Sequence, residues 1–175
     1  MQIQVAAVLF ESIVDGPGVR TAVFVQGCPH NCPGCHNPST HSFTGGMPMS
    51  IAQILCGMQR DKLVSGLTLT GGEPFCQAMA CAGLAQAAKK AGYNVLSYSG
   101  YTYEELLSRA EQDPGVAALL NASDWLIDGP YREAERSLEL RFRGSGNQRV
   151  IDLAQTRQTG GLVTLSWDNK ETADS

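Results

Sequence analysis

Apolar positions along the chain switch repeatedly between a period of two and a period near 3.6, which predicts strands alternating with helices. Residues 19–26 (VRTAVFVQ) are β-rich and end at Gly27. Ser50 and Gln53 form a capping-box pattern, after which Ile51, Ile54, Leu55 and Met58 fall at helical spacing. Residues 66–70 (GLTLT) predict a short buried strand running into Gly71-Gly72. Residues 76–91 are Ala-rich, with apolar positions near Met79, Gly83, Leu84 and Ala87, and predict a helix stopped by Gly92. Asn94–Tyr98 (NVLSY) predicts another strand, and Thr102 with Glu105 a second capping box for a helix ending before Pro114. Trp125–Asp128 (WLID) predicts a strand cut by Gly129-Pro130, and residues 149–153 and 162–167 predict two late strands. The polar tail, 168–175, is expected to fray.

This order predicts an α/β fold, a shortened or partial (β/α) barrel with a mostly parallel sheet. Right-handed crossovers gather the C-terminal ends of parallel strands on one side. The cysteine-rich segment after Gly27, then Gly71-Gly72-Glu73, Ser97 to Gly100, and Asp128-Gly129 are therefore expected on one rim, where α/β folds bind ligands. The 175 residues suit one domain spanning 1–167 and fall short of a complete eight-unit barrel, which takes ~250 residues.

Composition narrows the function. Thirteen Lys and Arg against seventeen Asp and Glu give a net charge of −4, which argues against a nucleic-acid partner. No apolar run approaches the ~20 residues that span a bilayer, and the N-terminus lacks a secretory pattern. The expected compartment is the reducing cytoplasm, where crowded cysteines suggest metal or redox chemistry before disulfides.

Cys28-Pro29-His30-Asn31-Cys32-Pro33-Gly34-Cys35 is a C-x3-C-x2-C loop stiffened by two prolines. Three thiolates suit a soft metal centre. Zinc would recruit a histidine, with His41 more reachable than His30 or His36, although structural zinc usually takes ligands as two separated couples. An iron–sulfur cubane normally has four cysteine ligands; three leave one iron open to substrate unless a remote residue such as Cys76 completes the shell. Cys56 and Cys81 fall in helical patterns as small buried hydrophobes, and packing is also the plainer role for Cys76.

With an aromatic His36 after the third cysteine, and Gly71-Gly72-Glu73-Pro74 one strand later, the chain resembles the radical S-adenosylmethionine enzymes. The resemblance implies a [4Fe-4S] cluster on Cys28, Cys32 and Cys35, whose open iron chelates S-adenosylmethionine. It implies adenine contacts from Gly34, Cys35 and His36, with Asn37 a further cofactor-binding residue. Thr70, Gly71, Gly72 and Glu73 would hold the cofactor's amino group, with Ser97 and Asp128 as further candidates at strand ends. Each has a plain alternative: His36 as a loop histidine, the Gly-Gly-Glu-Pro run as a turn, Asp128 as a turn former.

Asp15-Gly16-Pro17-Gly18-Val19-Arg20 is similar to the glycyl-radical activating enzymes, where Asp15 would face the partner's glycine loop; otherwise it is a turn, with Arg20 a structural ion-pair partner. Ser97 to Tyr101, Asp128 to Tyr131 and Arg143 to Arg149 resemble the activators of anaerobic ribonucleoside-triphosphate reductases. The resemblance implies the reductase large subunit as partner and a flavodoxin-type one-electron donor. Pyruvate formate-lyase activators are the near alternative, but they are longer. The arginines 132, 136, 141, 143 and 149 read as a solvated or partner-facing surface.

Overall fold

The computed structural model describes residues 1–168. Among the described residues, eight strands form one open sheet in the order β3-β1-β2-β4-β5-β6-β7-β8. They are β1 (Gln2–Ser12), β2 (Val19–Val25), β3 (Met47–Ser50), β4 (Val64–Gly71), β5 (Asn94–Tyr98), β6 (Trp125–Asp128), β7 (Arg149–Asp152) and β8 (Thr164–Leu165). Parallel pairing is confined to the central run β2-β4-β5-β6. Both flanks are antiparallel, through β1 with β2 and β3 on one side and β7 with β6 and β8 on the other. The expectation of a mostly parallel sheet therefore holds for the centre alone. Antiparallel return strands need only short connections, whereas each parallel step requires a helical crossover.

The helices are α1 (Ile51–Met58), α2 (Ala78–Lys90), α3 (Tyr103–Ala110), α4 (Pro114–Ala122) and α5 (Leu153–Thr159). Both expected capping boxes form: Gln53 N–H donates to Ser50 Oγ, and Glu105 N–H to Thr102 Oγ1. Residues 74–77 make a 3-10 turn, so the helix expected from Cys76 starts at Ala78. The helix after Thr102 stops at Ala110, before Pro114 as expected, and Pro114 opens α4 beneath an Asp113 cap, a position where its missing N–H costs no hydrogen bond. The strand expected over 149–153 turns at Asp152 into α5, whose first turn that side chain caps.

Strand alternation separates two faces. Val23, Val25, Leu67, Leu69, Val95 and Leu126 pack with Ile54, Met58, Leu84, Leu106 and Leu119 in the main core. Leu96, Ile127 and Val150 face the other way, covered by Tyr98, Trp125, Phe142 and Trp167. Trp167 closes this cover edge-on to Trp125, and Asp168 is tied to Arg143. The remainder of the expected tail, 169–175, lies outside the described residues. No described helix is long and apolar enough to cross a membrane.

Candidate active site

The C-terminal ends of the four parallel strands open onto one cleft of about 680 Å³, within the usual size range for small-molecule sites. Phe24, Thr70 and Tyr98 enter it from successive strands. The period-two alternation that sends Val25, Leu69 and Val95 into the helical core sends these three the other way.

After β2 the chain makes a loop closed at its neck: Gly27 N–H donates to the Thr40 carbonyl at 2.8 Å and Cys28 N–H to the His41 carbonyl at 3.1 Å. Positive φ at Asn31 (46°) and Gly34 (72°) coils the segment between them. Cys35 N–H donates to the Cys32 carbonyl, and Asn37 N–H approaches Cys35 Sγ at 3.4 Å. Cys28, Cys32 and Cys35 are half-buried free thiols lining the cleft. Desolvation raises the Cys28 pKa most, with the N–H groups of His30 and Asn31 pulling it back and Glu73 and Cys32 adding to the rise.

The three thiols supply a soft donor set of the kind that holds an iron–sulfur cluster, and two of the loop histidines each have one ring nitrogen engaged. His30 Nε2 lies 2.7 Å from Glu73 Oε2, and His41 Nδ1 lies 3.1 Å from Asn31 Oδ1. His41 Nε2 is buried without a partner in a residue that lines the cleft, an orphaned polar atom suited to a bound group. Among the described residues, no three or more His, Cys, Asp or Glu side chains surround a position for a single metal ion.

Opposite the loop, Thr70, Gly71 and Gly72 line the cleft. Their glycines serve backbone packing as well as ligand access. Gly72 N–H donates to the Val25 carbonyl and Glu73 N–H to the Gly27 carbonyl, seating the turn against the entrance of the cysteine loop. A Cβ on Gly72 would stand 2.4 Å from the Gly27 carbonyl oxygen.

The other expected residues divide. Asp15, His36 and Asn37 line the cleft, and the His36 ring tilts against Tyr131 at 5.1 Å. Asp15 accepts a hydrogen bond from Ser12 Oγ, and its carbonyl accepts from Thr68. Gly34, Glu73, Ser97 and Asp128 do not line the cleft. Gly34 turns the loop against the Glu133 carboxylate. Ser97 shares the helix-facing parity of Val95, and its hydroxyl pairs with Ser123 at 2.8 Å. Asp128, 1% exposed, is taken up by Arg149 Nε at 3.0 Å, Arg149 Nη2 and the Tyr103 N–H at 2.7 Å.

Other side chains depart from their expected settings. Arg20 is fully buried and forms no ion pair among the described residues; it donates to Thr68, Asn94 and the carbonyls of Pro17 and Leu67. Desolvation pushes its pKa down to about 10, against smaller raising effects from Tyr98 and Asp124. Arg143 and Arg149 are tied inward to Asp168 and Asp128 and do not form part of a solvated stripe. Cys81 is buried as expected, but Cys56 and Cys76 are exposed, since their helix and turn present those positions outward. Sequence reasoning missed Tyr98, Tyr131 and Gln148 as cleft residues; strand parity across from Ser97 was the available signal for Tyr98. A second depression of about 540 Å³, beside Phe10, Cys56 and Arg60, contains none of the expected site residues.

The family described as "4Fe-4S single cluster domain" matches residues 14–151. The anaerobic ribonucleoside-triphosphate reductase-activating protein of Pasteurella multocida is 34% identical over 152 residues, covering 82% of this chain and 93% of that protein. Its namesake from Escherichia coli is 34% identical over 149 residues, covering 81% and 93%. The pyruvate formate-lyase-activating enzyme of Clostridium pasteurianum is 34% identical over 108 residues, but these cover only 57% of this chain and 45% of that enzyme. The match over residues 14–151 takes in the cysteine loop, the glycine turn and all four parallel strands around the cleft, and this chain belongs to the 4Fe-4S single-cluster family.

Proposed function

We propose that this protein activates an anaerobic ribonucleoside-triphosphate reductase by generating a glycyl radical on its large subunit, through reductive cleavage of S-adenosylmethionine at a [4Fe-4S] cluster. The observation that carries this reading is the convergence of three free thiols and the Gly71-Gly72 turn on one cleft. Cys28, Cys32 and Cys35 hold the cluster. When bound, the cluster would supply the single electron for cleaving the sulfonium to methionine and an adenosyl group able to abstract a glycine Cα hydrogen.

The chain's own residues orient and enclose. The main chain of Thr70 to Gly72 receives the amino end of the nucleotide, while the paired rings of His36 and Tyr131, with Asn37, form an aromatic wall for the base. Gly34 shapes that wall from behind. Ser97 and Asp128 act at one remove, holding strand ends against the helices. Asp15, beside the 72%-exposed Val14, offers the partner's glycine loop a polar group within an apolar rim. The open sheet is read as an arc of a (β/α) barrel, wide enough at its mouth to admit a protein loop. A flavodoxin-type donor in the cytoplasm supplies the electron, and no nucleic acid or membrane takes part.

Anaerobic reconstitution tests the reading. The expected product binds about four irons per chain, consumes S-adenosylmethionine only when reduced, and produces a glycyl-radical resonance when mixed with the reductase. Alanine at Cys28, Cys32 or Cys35 abolishes all three results, while alanine at Cys56 or Cys81 spares them. A radical on pyruvate formate-lyase but none on the reductase would reassign the partner, and a reduced cluster that never consumes the nucleotide would overturn the proposal.

A further inference from the structure

Glu73 is 0% exposed, yet its carboxylate is surrounded by donors. Phe75 N–H donates to Oε1 at 3.1 Å, Ser99 Oγ is shared between Oε1 at 3.0 Å and Oε2 at 3.1 Å, and Gly100 N–H reaches Oε2 at 2.8 Å. His30 Nε2, 43 residues away in sequence, closes the set at 2.7 Å. A carboxylate has about four lone-pair sites, and these four groups engage them. No site remains for an ammonium, and Glu73 does not line the cleft.

The surroundings are fitted to the His30 ring. Tyr101 packs edge-on against it with centroids 4.4 Å apart. A Cβ on Gly100 would stand 2.4 Å from the His30 ring carbon Cδ2, so the β5 loop makes room for the imidazole only because that residue is glycine. His30 lies between two of the three thiols, while Glu73 follows the glycine turn on the facing side of the loop entrance.

We propose that His30 is a positioning residue: through Glu73 it locks the cysteine loop to the Gly71-Gly72 turn and the β5 loop, and Glu73 serves this lock rather than contacting the nucleotide. The lock fixes the distance between the thiols and the main chain that lines the cleft, the dimension on which simultaneous binding of cluster and nucleotide depends. This rests on the cleft being the S-adenosylmethionine site, as proposed above.

The test pairs a readout on the metal-free chain with one on the reconstituted enzyme. In metal-free protein, His30→Ala is expected to speed amide exchange across residues 28–35 by about tenfold or more, while His30→Gln, which returns a donor at similar reach, keeps it within about threefold. In reconstituted enzyme, His30→Ala retains its iron but raises KM for S-adenosylmethionine by about tenfold or more, with the Gln variant again restoring it. Glu73→Gln reproduces the His30→Ala effect, and the double variant adds less than about threefold, because both changes open the same lock. Additive losses, or a KM effect in Glu73→Gln with none in His30→Ala, would mean that Glu73 binds the nucleotide directly and would overturn the lock. Where Glu73→Gln does not accumulate as folded protein, the two His30 variants decide. A wild-type chain that consumes no nucleotide refutes the proposed activity; unchanged exchange in His30→Ala refutes the lock.

Discussion

The Tyr98 hydroxyl donates to the Phe142 carbonyl at 2.6 Å in the wall of the cleft. Burial raises the phenol pKa most, Asp15 adds to the rise, and Arg20 opposes it. Phe142 has φ of 62°, an uncommon conformation for a side chain of that size, and this hydrogen bond helps to hold it there. Tyr98→Phe is therefore expected to lower stability at pH 8 by about 1–3 kcal/mol, since it strands a carbonyl in a partly buried wall. The alkaline arm has the opposite sign. In the unfolded chain the phenol ionises near about 10, whereas the folded protein keeps its proton to higher pH, so the unfolded state binds fewer protons in that window. Wild-type stability falls as pH rises above about 10 for this reason, and Tyr98→Phe removes that part of the slope. Urea unfolding at pH 8 and pH 11 checks both: the deficit of the variant shrinks at the higher pH.

At the scale of elements, the glycine turn after β4 is held by the strand beside it. Gly71 has φ of 92° and Gly72 packs against two carbonyls of the β2 segment, those of Val25 and Gly27. Gly72→Ala should cost about 1–3 kcal/mol through forced displacement of backbone. Gly92→Ala, at φ of 91° with nothing within 4 Å of the new methyl, should cost about 1 kcal/mol from conformation alone. Thermal unfolding of the two variants separates them, and an equal cost would remove the packing argument. The same contrast between local and distant causes explains what could be read from the sequence. Asn94–Tyr98, Trp125–Asp128 and the two capping boxes were legible because alternation and caps are local. β1 was not, because register shifts near Val5 and Leu9 break its alternation, nor was β3, which carries Pro48 at the sheet edge. The short α5 lacks a strong apolar stripe. Within the site, the cysteine loop and glycine turn declared themselves as motifs. The His30–Glu73 contact and the Arg149 tie to Asp128 required a topology that joins residues 43 and 21 positions apart.

At the scale of the whole molecule, the fold sorts six chemically similar thiols into distinct environments, and their reactivity reports whether that sorting is right. Cys81 lies in the helical core, where burial and then Glu73 push its pKa up to about 12. An alkylating reagent should reach it only when the protein unfolds. Cys76 is exposed, but desolvation first, then Glu73 and Cys28, push it up to about 11 against the pull of Arg109. At pH 8 roughly a thousandth of it is thiolate, the reactive form, so its labelling should accelerate about tenfold per pH unit towards pH 11. Cys56 is exposed beside the second depression, away from the cleft, and should label in every native state. In the metal-free chain Cys28, Cys32 and Cys35 should also label, being half-buried on an open cleft. Cluster assembly should then protect those three and leave the rates at Cys56 and Cys76 unchanged, as peptide mass spectrometry after timed alkylation would reveal. Protection of Cys76 together with the other three would identify a fourth protein ligand, close the coordination position that the nucleotide needs, and recast the protein as an electron carrier.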